Sequence, residues 1–363
     1  MSSPLTAKIS HDEAAGAWFL HSGIQEPQGG AARYYRADLE RNLRVSTEIT
    51  GYSVSALVWL YGRSGNAGYL DAATQASAFL VDHAWMESPG IWPYEYPDDG
   101  SAESLAYFFD TGIIIRGLLA LWRVTGDQKW LDAAVRGGQS FAHFRSGDVF
   151  HPILRLPSCE ALPYTAQWSR GPGCYQLKSA MAFRDLAAVT GRADFRESWE
   201  QALRWSLDHA DEFLPAETPS KTMDRLHAYS YFLEAILQEP ERAEVRDALR
   251  TGIERVSAFL RSIRDDFERS DVNGQLLRVR ILADAAGVVE LDLAEATEEA
   301  ARIPLFQTAA DAGKRFAGGY CFGRRDGQLI PHSNPVSTAF CLQALDMWSD
   351  YQAGHKLDAS SVI

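Results

Sequence analysis

A phrase that recurs three times along this chain limits its fold more than any other feature. The segments "YGRSGNAGYLDAATQASAFL" (61–80), "VTGDQKWLDAAVRGGQSFAHF" (124–144) and "VTGRADFRESWEQALRWSL" (189–207) each end an apolar helix at a glycine: Gly65, Gly126 or Gly191. Four residues later an aromatic, Tyr69, Trp130 or Phe195, opens an amphipathic helix. Glycine is the usual left-handed stop after a helix, and an aromatic at that offset pins a tight turn between antiparallel helices. The repeat of about 60 residues therefore marks one helical hairpin plus a long return loop.

Extending the template predicts apolar helices near 226–238, 277–290 and 335–350, with amphipathic ones near 10–21, 241–265 and 292–303. There is hardly any β alternation between them. Helices apolar on all sides, such as "GYSVSALVWLY", "GIIIRGLLALW" and "STAFCLQALDMW", must be enclosed by protein. One with a single apolar stripe, such as "AEVRDALRTGIERVSAFLRSI", fits an outer layer. Six helices of the first kind ringed by six of the second give an all-α (α/α)6 toroid. No linker-like or charged block divides the chain, so one domain over 1–363 is expected.

Composition narrows the partners. A formal net charge of −13 repels phosphate backbones and anionic lipid, so neither nucleic acid nor membrane is expected as a partner. The first residues lack a basic stretch followed by an apolar one, and no run of about 18 apolar residues follows. A cytoplasmic protein is the expectation. Cys159, Cys174, Cys321 and Cys341 show no CxxC spacing and read as reduced packing residues. No metal site and no cofactor are expected.

In such a toroid the inner helices run the same way, so the loops entering them gather at one mouth. Their openings are polar: Glu48 in "STEITGY", Asp110 in "YFFDTG", and Trp168, Arg170, Tyr175 and Lys178 in "WSRGPGCYQLK". Further on come Arg225, His227, Tyr229, Tyr231 and Glu234 in the fourth, Arg278, Arg280 and Asp284 in the fifth, and His332, Asn334 and Ser337 in the sixth. Glu48 and Asp110 each stand where a simple helix cap is an equal alternative, and His227 where a structural histidine is. Capping, however, does not call for arginines and tyrosines at the same pole. Trp92, Tyr94, Tyr96 and Trp168 suit the C–H faces of sugar rings, and arginines suit carboxylates. An oligosaccharide or polysaccharide substrate follows.

Two stretches resemble the unsaturated glucuronyl hydrolases and their rhamnogalacturonyl relatives. "FFDTGIIIRGLLALWRVTGDQKWLDAA" is similar to that family's aspartate-Thr motif, and "WSRGPGCYQLKSAMAFRDLAAVTG" to its W-x-R-G motif. The resemblance implies that Asp110 is the general acid/base, that Arg170 lines the sugar site and that Glu48 takes the place of a second acid. Glu48 stands where the family has aspartate, and the carboxyl-terminal half has no clear counterpart. The hairpins are also reminiscent of toroids from polysaccharide-biosynthesis clusters and of glucuronyl C5-epimerases.

These readings give a glycoside hydrolase acting on uronate-containing glycans, with Asp110, Glu48 and His227 as candidate catalytic residues. The candidate substrate contacts are Trp92, Tyr94, Trp168, Arg170, Tyr175, Arg225, Tyr229, Arg280 and Asn334. The alternative is a uronyl epimerase or lyase, with Tyr175, Tyr229 or His227 moving the proton and Arg170, Arg225 and Arg280 neutralising the carboxylate. A non-catalytic glycan scaffold, or a terpenoid cyclase using Asp98 and Asp99 in "YPDDGS" or the acids of "RDDFERSD" (264–271), are the rivals from other classes.

Overall fold

A computed structural model describes residues 11–96 and 104–363. Its twelve α-helices alternate between two rings. The inner ring comprises α2 (Thr47–Ser64), α4 (Phe108–Thr125), α6 (Leu177–Thr190), α8 (Pro219–Ile236), α10 (Ser270–Ala285) and α12 (Pro335–Gln352). The outer ring comprises α1 (His11–His21), α3 (Ala67–Ala78), α5 (Gln128–Ser140), α7 (Ala193–His209), α9 (Ala243–Ile263) and α11 (Leu293–Arg302). Each inner helix packs on the next, α12 closes on α2, and α1 covers α12. Among the described residues, no helix is long and apolar enough to cross a membrane.

The repeated phrase forms the turn expected of it. Gly65, Gly126 and Gly191 end α2, α4 and α6 with φ of 67°, 68° and 71°, the region that favours a residue without Cβ. Asn66 and Asp127 then cap α3 and α5 through side-chain oxygens. Tyr69, Trp130 and Phe195 are buried beneath these turns.

The inner ring is unusually tight on one side. A Cβ on Gly112 would lie 2.1 Å from Oγ of Ser179 and 2.3 Å from its carbonyl oxygen, and one on Gly51 would lie 2.9 Å from Cα of Ile114. Ser179 also donates to the Phe108 carbonyl at 2.7 Å, fastening α6 to the first turn of α4. Gly112→Ala is therefore expected to cost about 1–3 kcal/mol through overpacking. An unchanged denaturant midpoint would mean that α4 and α6 separate freely.

Two inner helices begin earlier than their hydropathy predicts. The expected start of the fourth near 226 is in fact Pro219, preceded by Thr218, whose hydroxyl accepts from the Lys221 N–H. The fifth starts at Ser270 instead of 277, because Ser270, Asp271, Asn273 and Gln275 are buried by neighbouring elements although their types read as loop. Arg278 and Arg280 thus sit deep in α10, and "RDDFERSD" runs from the end of α9 through a short strand into the inner helix.

The scarcity of β pattern conceals a structural device. Strands of two or three residues lead directly into α2, α4 and α10, and another lies just before α12. Val45–Ser46 pairs with Glu95–Tyr96, Leu105–Tyr107 with Ile153–Arg155, and Phe267–Arg269 with Gly323–Arg325. Tyr35–Arg36 pairs with His332–Ser333, tying the amino-terminal return loop to the entry of α12. These ladders set the lip of the ring. Cys159, Cys174, Cys321 and Cys341 are all free, and all but Cys159 are buried.

Candidate active site

At the amino-terminal ends of the inner helices the loops leave a cavity of about 630 Å³. Convergence of polar groups in an enclosed hollow is the usual form of a ligand site. Glu48, Asp110, His227, Tyr94, Trp168, Arg170, Tyr175 and Asn334 all line it.

Glu48 and Asp110 reach the cavity from the first turns of α2 and α4, which pack together. Neither is the capping residue. Ser46 caps α2 by accepting from the Ile49 N–H, and α4 begins after Tyr107 with no side-chain cap. The start of α2 is strapped on both sides. Thr47 donates to the Pro93 carbonyl at 2.7 Å, and Thr50 accepts from the Ala31 N–H at 2.9 Å. Buried Oδ2 of Asp110 has no hydrogen-bond partner among the described residues.

Burial, with Glu48 next to it, pushes the Asp110 carboxyl well above the ordinary carboxylate range, against Arg33 and the helix backbone. Burial also raises Glu48, to about 7, with Arg33 opposing. Two acids in one apolar mouth cannot both shed their protons cheaply. Burial therefore favours the protonated form of Asp110, and Glu48, raised to about 7, can take either form near neutrality.

Across α8 and α10 lies a second group. Nδ1 of His227 is 2.8 Å from Oε1 of Gln275 and 3.7 Å from Oδ2 of Asp271. With the Gln275 oxygen facing the ring, Nδ1 donates and Nε2 keeps its lone pair. Burial, then Arg269, lowers His227 to about 4, so its imidazole is neutral. Arg269 grips Asp271 with Nε at 2.9 Å and Nη2 at 2.7 Å, and reaches Asp224 at 3.0 Å. His332 also lines the cavity, stacked between Tyr34 and Phe322, and burial lowers it to about 4.

Four expected contacts lie elsewhere. Trp92 is buried, donates from Nε1 to the Leu80 carbonyl at 2.8 Å and packs against Trp85 and Gly137. Tyr229 is buried toward α9, against Gly252 and beneath Arg255. Arg280 faces outward, where it pairs with Glu299 and Glu295 and donates to Ser257, holding α10 to the outer ring. Arg225 donates to the Phe213 carbonyl at 3.0 Å and faces a neighbouring hollow. Arg225, Tyr229 and Arg280 stand on inner helices whose phase turns them from the axis, and Trp92 stands in the loop before Glu95–Tyr96. Asp98 and Asp99 lie outside the described residues.

The cavity also takes residues that pattern reading passed over, Arg33, Tyr34, Tyr107, Asp224 and Arg269, and it takes Asp271, which was read only among the acids of "RDDFERSD". Arg33 sits over the Tyr94 ring at 5.2 Å and 3.7 Å from Glu95. "AARYYRAD" has no periodicity to mark it; pairing of Tyr35 with Ser333 and Asn42, and a bridge from Ala32 to Val45, carry it to the mouth. Asp271 carried a visible signal, an acid one residue after a short apolar-polar strand, once the start of α10 is placed correctly.

No family sequence model matches the chain. No curated protein matches it either. Solved structures do. Cellobiose 2-epimerase from Spirochaeta thermophila superposes with a TM-score of 0.71 at 13% identity, over 96% of this chain and 100% of that one. A D-mannose isomerase gives 0.70 at 9% identity, over 96% and 100%. An α-1,6-mannanase from Salegentibacter sp. gives 0.60 at 11% identity, over 94% and 99%. At such identities the likeness carries the architecture alone. Helix order, ring closure and full-length superposition agree: this chain has the (α/α)6 toroid fold.

Proposed function

We propose that the protein is a carbohydrate-active enzyme, and that it cleaves glycosidic bonds with Asp110 as general acid and Glu48 as general base. The observation that carries this reading is the pairing of two carboxyls, from adjacent inner helices, in one cavity where burial keeps the first protonated. Protonated Asp110 donates to the glycosidic oxygen as the bond to the anomeric carbon breaks. Ionised Glu48 takes a proton from the water that attacks that carbon. The products are a new reducing end and a free hydroxyl, and the pair resets by passing the proton back through solvent.

Arg170 lines the cavity without a carboxylate partner among the described residues. An unpaired guanidinium there suits a uronate carboxylate, and Trp168 and Tyr94 suit the ring faces. The related folds are consistent with a sugar substrate, since a variant of the Salegentibacter mannanase is described in complex with α-1,6-mannotriose.

One observation favours a second reading. Two neutral imidazoles, His227 and His332, line the same cavity, and a neutral imidazole is a competent base toward a C–H next to a carbonyl or carboxylate. Epimerisation or isomerisation of a sugar, the activities named for two of the similar structures, is that alternative. Incubating the protein with saturated and 4,5-unsaturated uronate oligosaccharides in deuterated water separates the two. Hydrolysis releases reducing ends without C–H exchange, whereas epimerisation incorporates deuterium without cleavage.

The carboxyl pair also predicts a pH profile. The base form of Glu48 appears as pH rises through about 7, and burial moves the loss of the Asp110 proton upward from the ordinary carboxylate range. Hydrolysis is expected to increase through neutrality and fall again on the alkaline side, with apparent values belonging to the pair. A rate already at its plateau near about pH 5 would contradict these roles.

A further inference from the structure

Beside the main cavity lies a hollow of about 290 Å³ between the 164–173 loop, the end of α7 and the start of α8. The two hollows share Gln167 and Trp168 as lining residues. We propose that this hollow is a second sugar subsite, so that the substrate is an oligosaccharide whose chain passes over Trp168 from the catalytic cavity onto α7. The inference rests on the carbohydrate reading and adds the direction and length of the chain.

Its walls have the chemistry that a pyranose needs. Trp205 and His209, one helical turn apart on α7, stack with ring centroids 4.3 Å apart and planes 14° apart, so each braces the other and leaves its outer face as a platform. His209 Nδ1 lies 2.8 Å from the Trp205 carbonyl, which fixes its ring. Trp168 is held edge-on by Tyr175 at 5.0 Å and by Phe213 at 6.5 Å, so a rigid indole divides the two hollows. Arg225 supplies donors: one guanidinium nitrogen is tied to the Phe213 carbonyl, and the group has no carboxylate partner among the described residues. Glu212 supplies an acceptor for sugar hydroxyls. Trp205 is half-buried and His209 exposed, and neither belongs to the fully buried core.

Binding isolates this subsite from catalysis. Calorimetric titration of the full-length Asp110→Asn protein uses saturated uronate oligosaccharides of two, three and four units. Affinity is expected to rise about tenfold at the length that reaches the platform, the size of effect that one well-placed aromatic contact gives. Trp205→Ala is expected to abolish that rise while leaving affinity for the shortest ligand unchanged, and Trp205→Phe to keep part of it. Affinity independent of length, a rise that survives Trp205→Ala, or no binding by any of the three ligands overturns the proposal. Length-dependent binding by a wild-type protein that leaves these ligands intact would retain the subsite and reject hydrolysis instead.

Discussion

Asp110→Asn is expected to lower kcat on a cleaved uronate oligosaccharide by about 10²–10⁴-fold, the contribution usual for a positioned general acid. The same change should leave the protein as stable as before, or slightly more so. Burial and the neighbouring Glu48 favour the protonated Asp110 carboxyl in the folded protein, and asparagine matches that form in charge and shape. What is lost is the transferable proton, not a packed group. Affinity for uncleaved substrate should change little, because the contacts of Trp168 and Arg170 remain. A variant with full activity would remove Asp110 from the mechanism, and one that loses activity together with its thermal transition would assign it to structure.

Glu234→Gln is expected to lower stability by about 3–5 kcal/mol, the usual cost of breaking a buried ion pair on one side. Lys178, Glu234 and Arg278 are all fully buried inside the ring. Glu234 accepts from Lys178 at 3.0 Å and from Arg278 on its other oxygen. Lys178 also donates to the Ile363 carbonyl at 2.8 Å, and Arg278 to Gln343 at 2.8 Å. Removing that charge leaves the buried Arg278 cation without its counterion, while Lys178, which burial already lowers to about 7, loses the carboxylate that opposes that shift. Burial would raise the Glu234 carboxyl, yet Arg278 and then Lys178 outweigh it and hold it below the usual value. The stability it contributes is therefore present above its unfolded value and is lost as pH falls through the lower, folded one. Guanidinium unfolding of the single variant beside a Lys178→Met, Glu234→Met, Arg278→Met triple variant gives the test. The triple variant should recover most of the loss, and an unchanged midpoint for Glu234→Gln would deny the cluster any structural role.

Both predictions depend on residues that the sequence displays unequally. Asp110 was legible because a carboxylate at the head of "FFDTGIIIRGLLALW" breaks an apolar run, and Glu48 because the preceding hairpin repeats the arrangement. Lys178, Glu234 and Arg278 read as lip residues beside Tyr175, His227 and Arg280. The fold instead joins the three into one buried cluster: Glu234 and Arg278 lie farther along α8 and α10 than hydropathy alone implies, and Lys178, at the start of α6, reaches inward to Glu234.

The sequence by itself determined the double ring. Glycine stops, buried aromatics after them and two grades of amphipathicity are local properties, each acting within a few residues, and they recur often enough to enforce a closed set of hairpins. It also determined that the openings of the inner helices are polar. Only the tertiary structure decided which openings share a cavity. That depends on helical phase, which turns Tyr229 and Arg280 from the axis, and on ladders of two or three residues that bring Arg33 and Asp271 to the mouth. Such pairings join positions far apart in the chain, and too few residues take part in each to leave a pattern in sequence.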